Sequence, residues 1–151
     1  MIIVRKARKS DSASIIEFQR LMAWETEKLQ LDTSVLKDGV QAVFADENKG
    51  QYFVAEENGE VVGSMLTTYE WSDWRNGVIL WLQSVYVLKK ARGKGIFSAM
   101  YKHIMDHVAE RPGFKGIRLY VEKSNSHARK VYQSMGMIDH HYDMFEWMKN
   151  D

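Results

Sequence analysis

Four consecutive residues, Arg92-Gly93-Lys94-Gly95, carry the densest chemistry in this sequence. They follow a strongly apolar run, Val78 to Leu88, and precede a segment with helical spacing. A strand, a basic glycine turn and a helix in that order make an anion-binding design. The first turn of a helix presents unpaired N–H groups and a partial positive charge. Glycine lets an oxyanion approach the main chain, and Arg92 and Lys94 add full charges. A tight turn with solvated cations explains the isolated tetrapeptide equally well. The surrounding charge pattern adds to the anion reading. No acidic residue lies between Asp73 and Asp106, whereas Arg75, Lys89, Lys90, Arg92, Lys94 and Lys102 all do. Net charge is only +1 over 151 residues. A local positive field in a nearly neutral chain points to a small anionic ligand; nucleic-acid binders carry a broad basic face and a high overall pI. Two familiar phosphate loops do not fit. The spacing of a Walker loop is absent, and the dinucleotide fingerprint needs a third glycine.

Other chemistries are poorly supplied. There is no cysteine, which removes disulfides, thiolate metal sites and a cysteine nucleophile. His103 and His107 have the i, i+4 spacing of zinc ligands but share a polar face with Lys102, Asp106 and Glu110, and no third ligand is apparent, so no metal is expected. His140-His141 reads as a surface pair. The amino terminus has too short an apolar run for a signal peptide, and no stretch approaches the roughly 20 residues of a membrane span. A soluble, cytoplasmic protein without membrane or nucleic-acid partners is the expectation.

The elements that must position the basic turn follow from periodicity. Ile2 to Arg5 reads as a strand, and Asp11 or Ser12 as the N-cap of a helix over about 12–29, with Ile15, Phe18, Met22 and Leu29 on one face. A second helix covers about 33–46. Tyr52 to Glu56 and Glu60 to Glu70 form a hairpin around Asn58-Gly59, whose residues both tolerate positive φ. Val78 to Leu88 is apolar on both alternating faces, as in a central strand covered on each side. A helix follows from about Gly95 to Glu110, ended by Arg111-Pro112-Gly113. Ile117 to Val121 is a strand, Asn125 to Met135 a helix with Gly136 as its cap, and Met144 to Met148 a final strand. The order β-α-α-β-β-β-α-β-α-β(β) is an α/β (α+β) mixture of antiparallel hairpins with one later βαβ crossover. Length and the lack of linkers predict a single domain over 1–151.

Two stretches resemble the GNAT superfamily of N-acetyltransferases. Arg92-Gly-Lys-Gly95-Ile-Phe97 resembles that family's acetyl-CoA loop, Gln/Arg-x-x-Gly-x-Gly/Ala, at every position except the last. Asn125-x-x-Ala128-x-x-x-Tyr132-x-x-x-Gly136 resembles its second motif in full. Val85-Tyr86-Val87 stands where the family's central strand ends, and the element order matches throughout. The resemblance implies a mixed, mostly antiparallel central sheet with helices on both faces. It also implies direct acyl transfer from acetyl-CoA to an amine, with no covalent enzyme intermediate and no metal. Phe97 departs from the usual small residue. Pointing inward with Tyr101, it leaves the main-chain amides free; pointing outward, it narrows the cradle.

On that resemblance, Arg92, Gly93, Lys94, Gly95, Ile96 and Phe97 hold the pyrophosphate. The pantetheine arm lies along Val85, Tyr86 and Val87, with the Val85 N–H toward the thioester carbonyl. Tyr132, with an ordinary pKa of about 10, donates a proton to the departing thiolate; by periodicity alone it is a core aromatic beside Ala128, Val131 and Met135. Asn125 caps or braces the loop before its helix. Arg129 meets the CoA phosphates or simply lies on a solvated face. The base that deprotonates the amine is poorly marked. No carboxylate lies from Val78 to Leu88, which leaves Glu70, Asp73, Glu25, Glu27 or a water chain ending at Gln83 or Ser84. Glu70 ranks first as a catalytic base because it ends the hairpin strand beside the central one. Trp24, Tyr69, Trp71, Trp74 and Trp81 are aromatic candidates for an acceptor pocket, with Gln83 beside them; core or dimer-interface packing explains them equally. A small-molecule amine is the expected acceptor, and the resemblance leaves a homodimer open. The competing reading is a catalytically silent acyl-CoA-binding module.

Overall fold

In the computed structural model, which describes residues 1–150, one five-stranded sheet runs in the order β1-β2-β3-β4-β5. The strands are β1 (Ile2–Lys6), β2 (Gln51–Glu57), β3 (Glu60–Ser72), β4 (Gly77–Val87) and β5 (Phe114–Arg118). The first four pair antiparallel, and β4 pairs with β5 parallel. Helices α1 (Ser12–Glu27) and α2 (Thr33–Ala45) follow β1, α3 (Ile96–Ala109) crosses from β4 to β5, and α4 (Ser126–Ser134) follows β5. Residues Met1–Arg118 form one compact unit and the residues from Leu119 onward a second.

Local rules explain most boundaries within the first unit. Asn58 (φ 53°) and Gly59 (φ 84°) turn the β2–β3 hairpin through two left-handed residues. The Asp32 carboxylate accepts from the amides of Ser34 and Val35 and starts α2. Asp11 does not cap α1 with its side chain. It accepts instead from Arg5 and from the Arg8 amide, tying β1 to the turn before the helix.

Adjacent strand residues face opposite sides of the sheet, so β2 sorts the helices. Tyr52 and Val54 pack with Ile15 of α1 and Val40 of α2, while Phe53 meets His103 and His107 of α3 edge-on, at 5.6 and 5.9 Å between ring centres. The two histidines therefore do not lie on a purely solvated face. They cover a buried phenylalanine, and burial first, then Arg111 and Lys6, holds His107 below the ordinary imidazole pKa.

Two strand assignments are corrected. The fifth strand is Phe114–Arg118 and not 117–121, because its ladder with β4 runs from Val78↔Phe114 to Trp81↔Arg118 and ends there. Beyond that point β4 pairs only with β3. The expected strand at Met144–Met148 is absent: these residues enter no ladder, and alternation of apolar residues without a hydrogen-bonded neighbour does not make a strand. Among the described residues no helix is long and apolar enough to cross a membrane, and no cluster of ligating side chains could hold a metal.

Candidate functional site

The basic turn begins where β4 ends. Lys89–Ala91 form one turn of 3-10 helix, Arg92 is extended, and Gly93 (φ 78°) and Gly95 (φ 81°) adopt left-handed conformations. A Cβ at either glycine would meet nothing within 4 Å, so backbone strain and not space requires glycine there, and the main chain is left open. Gly95 is the N-cap of α3, a helix of 14 residues, and no side chain caps its first turn. Phe97 stacks on Tyr101 one turn along, at 6.5 Å and 15° between rings, which directs its bulk along the helix.

The positive field of this turn is balanced from elsewhere in the chain. Arg92 donates to Glu25 at 3.2 Å, and Lys89 lies 3.6 Å from the same carboxylate. Lys94 meets Glu57 at 2.9 Å, and Lys90 meets Glu60 at 2.6 Å. Four cations therefore face three carboxylates, a pattern the acid-free window in the sequence does not reveal. The second Glu57 oxygen is buried with no protein hydrogen-bond partner. Arg92 is further fixed by donating to the Val87 carbonyl at 2.9 Å and by lying 5.4 Å over the Tyr86 ring. Exposed cations, open glycine main chain and an uncapped helix start fit a diphosphate, provided the carboxylates give way.

Just before the turn, β4 is bulged. Gln83 pairs with Leu66 and Tyr86 with Ser64, so Ser84 and Val85 together oppose Met65. Ser84 takes φ 53°, which a non-glycine residue rarely adopts. A bulge leaves its extra residue outside the ladder and changes the phase of the strand. Trp81 and Gln83 point to the α1 side, and unbroken alternation would send Tyr86 to the α3 side. The bulge returns it to the α1 side, where it packs on Phe18 at 5.6 Å and its hydroxyl meets Glu25. Burial, followed by that carboxylate, pushes the Tyr86 phenol up to about 12. For Glu25, burial acts upward, but the Tyr86 hydroxyl and then Arg92 and Lys89 outweigh it and hold the carboxyl below its ordinary range.

Farther back on the same side of β3 and β4 is a second polar group. Glu70 accepts from Trp81 Nε1 at 2.8 Å with one oxygen and from Arg118 at 2.5 Å with the other. Gln83 donates to the Thr68 hydroxyl at 2.6 Å. Glu70, Trp81 and Gln83 are thus brought together. Tyr69 and Trp71 lie on the opposite, α3 side, Trp24 sits on the outer part of α1 under Lys28, and Trp74 is almost fully exposed. The tryptophans do not form one wall.

The second unit carries the other motif. Asn125 Oδ1 accepts from the Ala128 amide at 3.1 Å and so caps α4. At the other end Gly136 (φ 91°) closes the helix, with the Met137 amide donating to the Tyr132 carbonyl at 3.1 Å. Arg129 pairs with Asp139 at 2.9 Å, a partner the sequence did not suggest. Tyr132 is half-buried in a helix that has no fully buried residue.

Comparison with known proteins places these features in context. Residues 16–137 match the model of the acetyltransferase (GNAT) family. Thialysine N-epsilon-acetyltransferase of Mus musculus is 30% identical over 145 residues, spanning 90% of this chain and 84% of that protein. A crystal structure of a possible acetyltransferase from Clostridium difficile 630 superposes with a TM-score of 0.93 at 43% identity, covering 100% of this chain and 99% of the other. A predicted acetyltransferase from Clostridium acetobutylicum, solved with acetyl-CoA, shares the fold at a TM-score of 0.73 and 21% identity, covering 100% and 96%. With a family match that spans the basic turn, the bulged strand and the capped helix alike, the chain belongs to the GNAT family of acetyltransferases, and it is an acyltransferase.

Proposed function

We propose that this protein transfers the acetyl group of acetyl-CoA directly to a primary amine of a small molecule. The observation that carries the proposal is that one strand, β4, supplies two of the required parts in sequence. Its bulge at Ser84-Val85 stands immediately before the open, cationic turn Arg92–Gly95. The mouse relative is named for acetylating thialysine, an amine, which supports the acceptor class. Acetyl-CoA supplies an activated acetyl thioester.

Arg92, Lys94 and the first-turn amides of α3 hold the diphosphate, and Gly93 and Gly95 keep the main chain accessible to it. Val85 to Val87 line the pantetheine arm. The Val85 N–H, which lies in the bulge, stabilises charge on the carbonyl oxygen, an effect typically of a few kcal/mol. Tyr132 donates its proton to the leaving sulfur, and Asn125 and Gly136 fix the helix that carries it. With both oxygens already engaged, Glu70 positions Trp81 and Arg118 on the acceptor side, and Gln83 lies beside them. We read the two compact units as one catalytic domain, since the family match at 16–137 runs across their boundary.

Thiol release from acetyl-CoA across a panel of amines tests the reading. Turnover with a member of the panel is expected, and it should fall at least tenfold in Tyr132→Phe. A silent acyl-CoA-binding module is the second reading, favoured by the engagement of every cation of the turn and of Glu70 by protein partners. Tight CoA binding with no turnover on any amine would establish that reading instead.

A further inference from the structure

We propose that Glu25 is the acceptor-side carboxylate of this site: Arg92 and Lys89 occupy it in the free protein, diphosphate takes those cations over, and the released carboxylate pairs with the acceptor's ammonium and takes its proton. This deepens the acetyltransferase reading and rests on it.

Three observations place Glu25 there. Its oxygens contact Arg92 (3.2 Å) and Lys89 (3.6 Å), and its side chain is only 21% exposed. Arg92 is the residue that opens the phosphate-binding turn, so Glu25 and a diphosphate compete for one guanidinium. The Tyr86 hydroxyl also meets Glu25, and Tyr86 is the first residue after the bulge, on the α1 side of the sheet. The carboxylate therefore lies over the stretch of β4 where the thioester carbonyl is placed. Glu70, the other carboxylate on this side, has both oxygens committed to Trp81 and Arg118, neither of which belongs to the phosphate turn.

The charged and titratable groups facing Glu25 are Tyr86 from β4 and Lys89 and Arg92 from the turn. While the two cations remain, the carboxyl is held acidic and is a poor proton acceptor. When diphosphate engages them, the opposing effect of burial is left and the carboxyl becomes more basic. The proton count balances. An ammonium gives one proton to Glu25, which returns it to solvent. Its nitrogen lone pair forms the N–C bond as the C–S bond breaks, and the sulfur receives a proton from Tyr132. The second nitrogen proton leaves with amide formation and restores Tyr132. The net products are amide, thiol and one proton.

The test uses the intact protein, CoA and 1,4-diaminobutane as the ammonium probe, with titration calorimetry in buffers of different ionisation enthalpy. Near pH 5.5, CoA should bind wild type with proton uptake beyond that seen with Glu25→Gln. That variant should bind CoA about threefold to fivefold more tightly, as expected on removing an ionic partner from the exposed Arg92 guanidinium. The diamine should bind the CoA-loaded wild type roughly tenfold more tightly than the free protein, and Glu25→Gln should lose that difference. Equal proton uptake and equal CoA affinity in the two proteins, or a diamine affinity indifferent to CoA, would overturn the role of Glu25 and leave the acetyltransferase reading standing. A protein that does not bind CoA at all would overturn both.

Discussion

Two arginine–carboxylate groups in the first unit use the same chemistry to opposite ends. Arg5 lies between Asp11 and Glu56 with contacts of 2.7 to 3.1 Å, and its side chain is 19% exposed against 9% for Asp11. Arg92 lies beside Glu25 at 3.2 Å with 46% exposure, and the carboxylate is shared with Lys89. In the first group two carboxylates surround one cation that is mostly shielded from water, where hydrogen-bonded ion pairs are costly to break. In the second, two cations share one carboxylate at a solvated edge, where an ion pair contributes at most about 1 kcal/mol. The first group fastens β1 to β2 and to the start of α1. The second is weak enough for another anion to displace it.

That contrast can be broken most forcefully at the turn. Replacing Arg92 and Lys94 together by alanine should weaken CoA binding roughly a hundredfold or more, since each charge-assisted phosphate contact is worth about 1.5 kcal/mol or more. The thermal midpoint should stay nearly unchanged. Unaltered CoA affinity in calorimetry would mean that the turn does not hold phosphate.

Asp11→Asn should show the reverse pattern: a loss of about 2 kcal/mol in denaturant unfolding, with CoA affinity retained. Its pH dependence has a definite sign. The hydrogen bond from Arg5 comes first among the causes that hold the folded Asp11 carboxyl below its ordinary value, outweighing burial. Its stabilisation is thus complete above about pH 4 and is lost as pH falls through the folded value. Wild type should lose more stability than Asp11→Asn on acidification below pH 4. Parallel acid profiles would remove this cluster from the account.

Tyr132 lies outside both groups, and Tyr132→Phe should lower kcat at least tenfold while leaving stability and CoA affinity alone. A wild-type rate in that variant would remove the phenol from the mechanism. The smallest effect is expected at Glu57. Glu57→Gln, which removes the charge opposite Lys94, should tighten CoA binding by about threefold. Weaker binding would show that this carboxylate supports Lys94 and does not compete for it.

What the sequence made legible follows a physical line. Features written in neighbouring residues were readable: the Asn58-Gly59 turn, the glycine turn after Arg92, the Asn125 cap and Gly136 stop of α4, and the helical stripe of α3. Features that depend on residues far apart in the chain were not. The basic window appears unopposed until folding brings Glu25, Glu57 and Glu60 to it across 30 or more positions. Periodicity likewise placed a strand at Met144–Met148, where Phe145 and Trp147 are 96% and 88% exposed and no ladder exists. It also gathered the tryptophans into one pocket by proximity, although alternation sends Trp71 and Trp81 to opposite sides. The extra residue in β4 left no trace in an apolar run that suits either face. A serine at positive φ was its only local mark, and that appears only in the structure.

The irregularity at Ser84 means that β4 keeps two rhythms, one before it and one after. Removing a single residue there would restore plain alternation and leave Tyr86 opposite Ser64 and facing Phe18 as before, yet would take away the extra residue that interrupts the pairing with β3. A deletion invisible to composition would thus spare both the sheet and its contact with α1 while closing the break in strand pairing at which the thioester is proposed to lie.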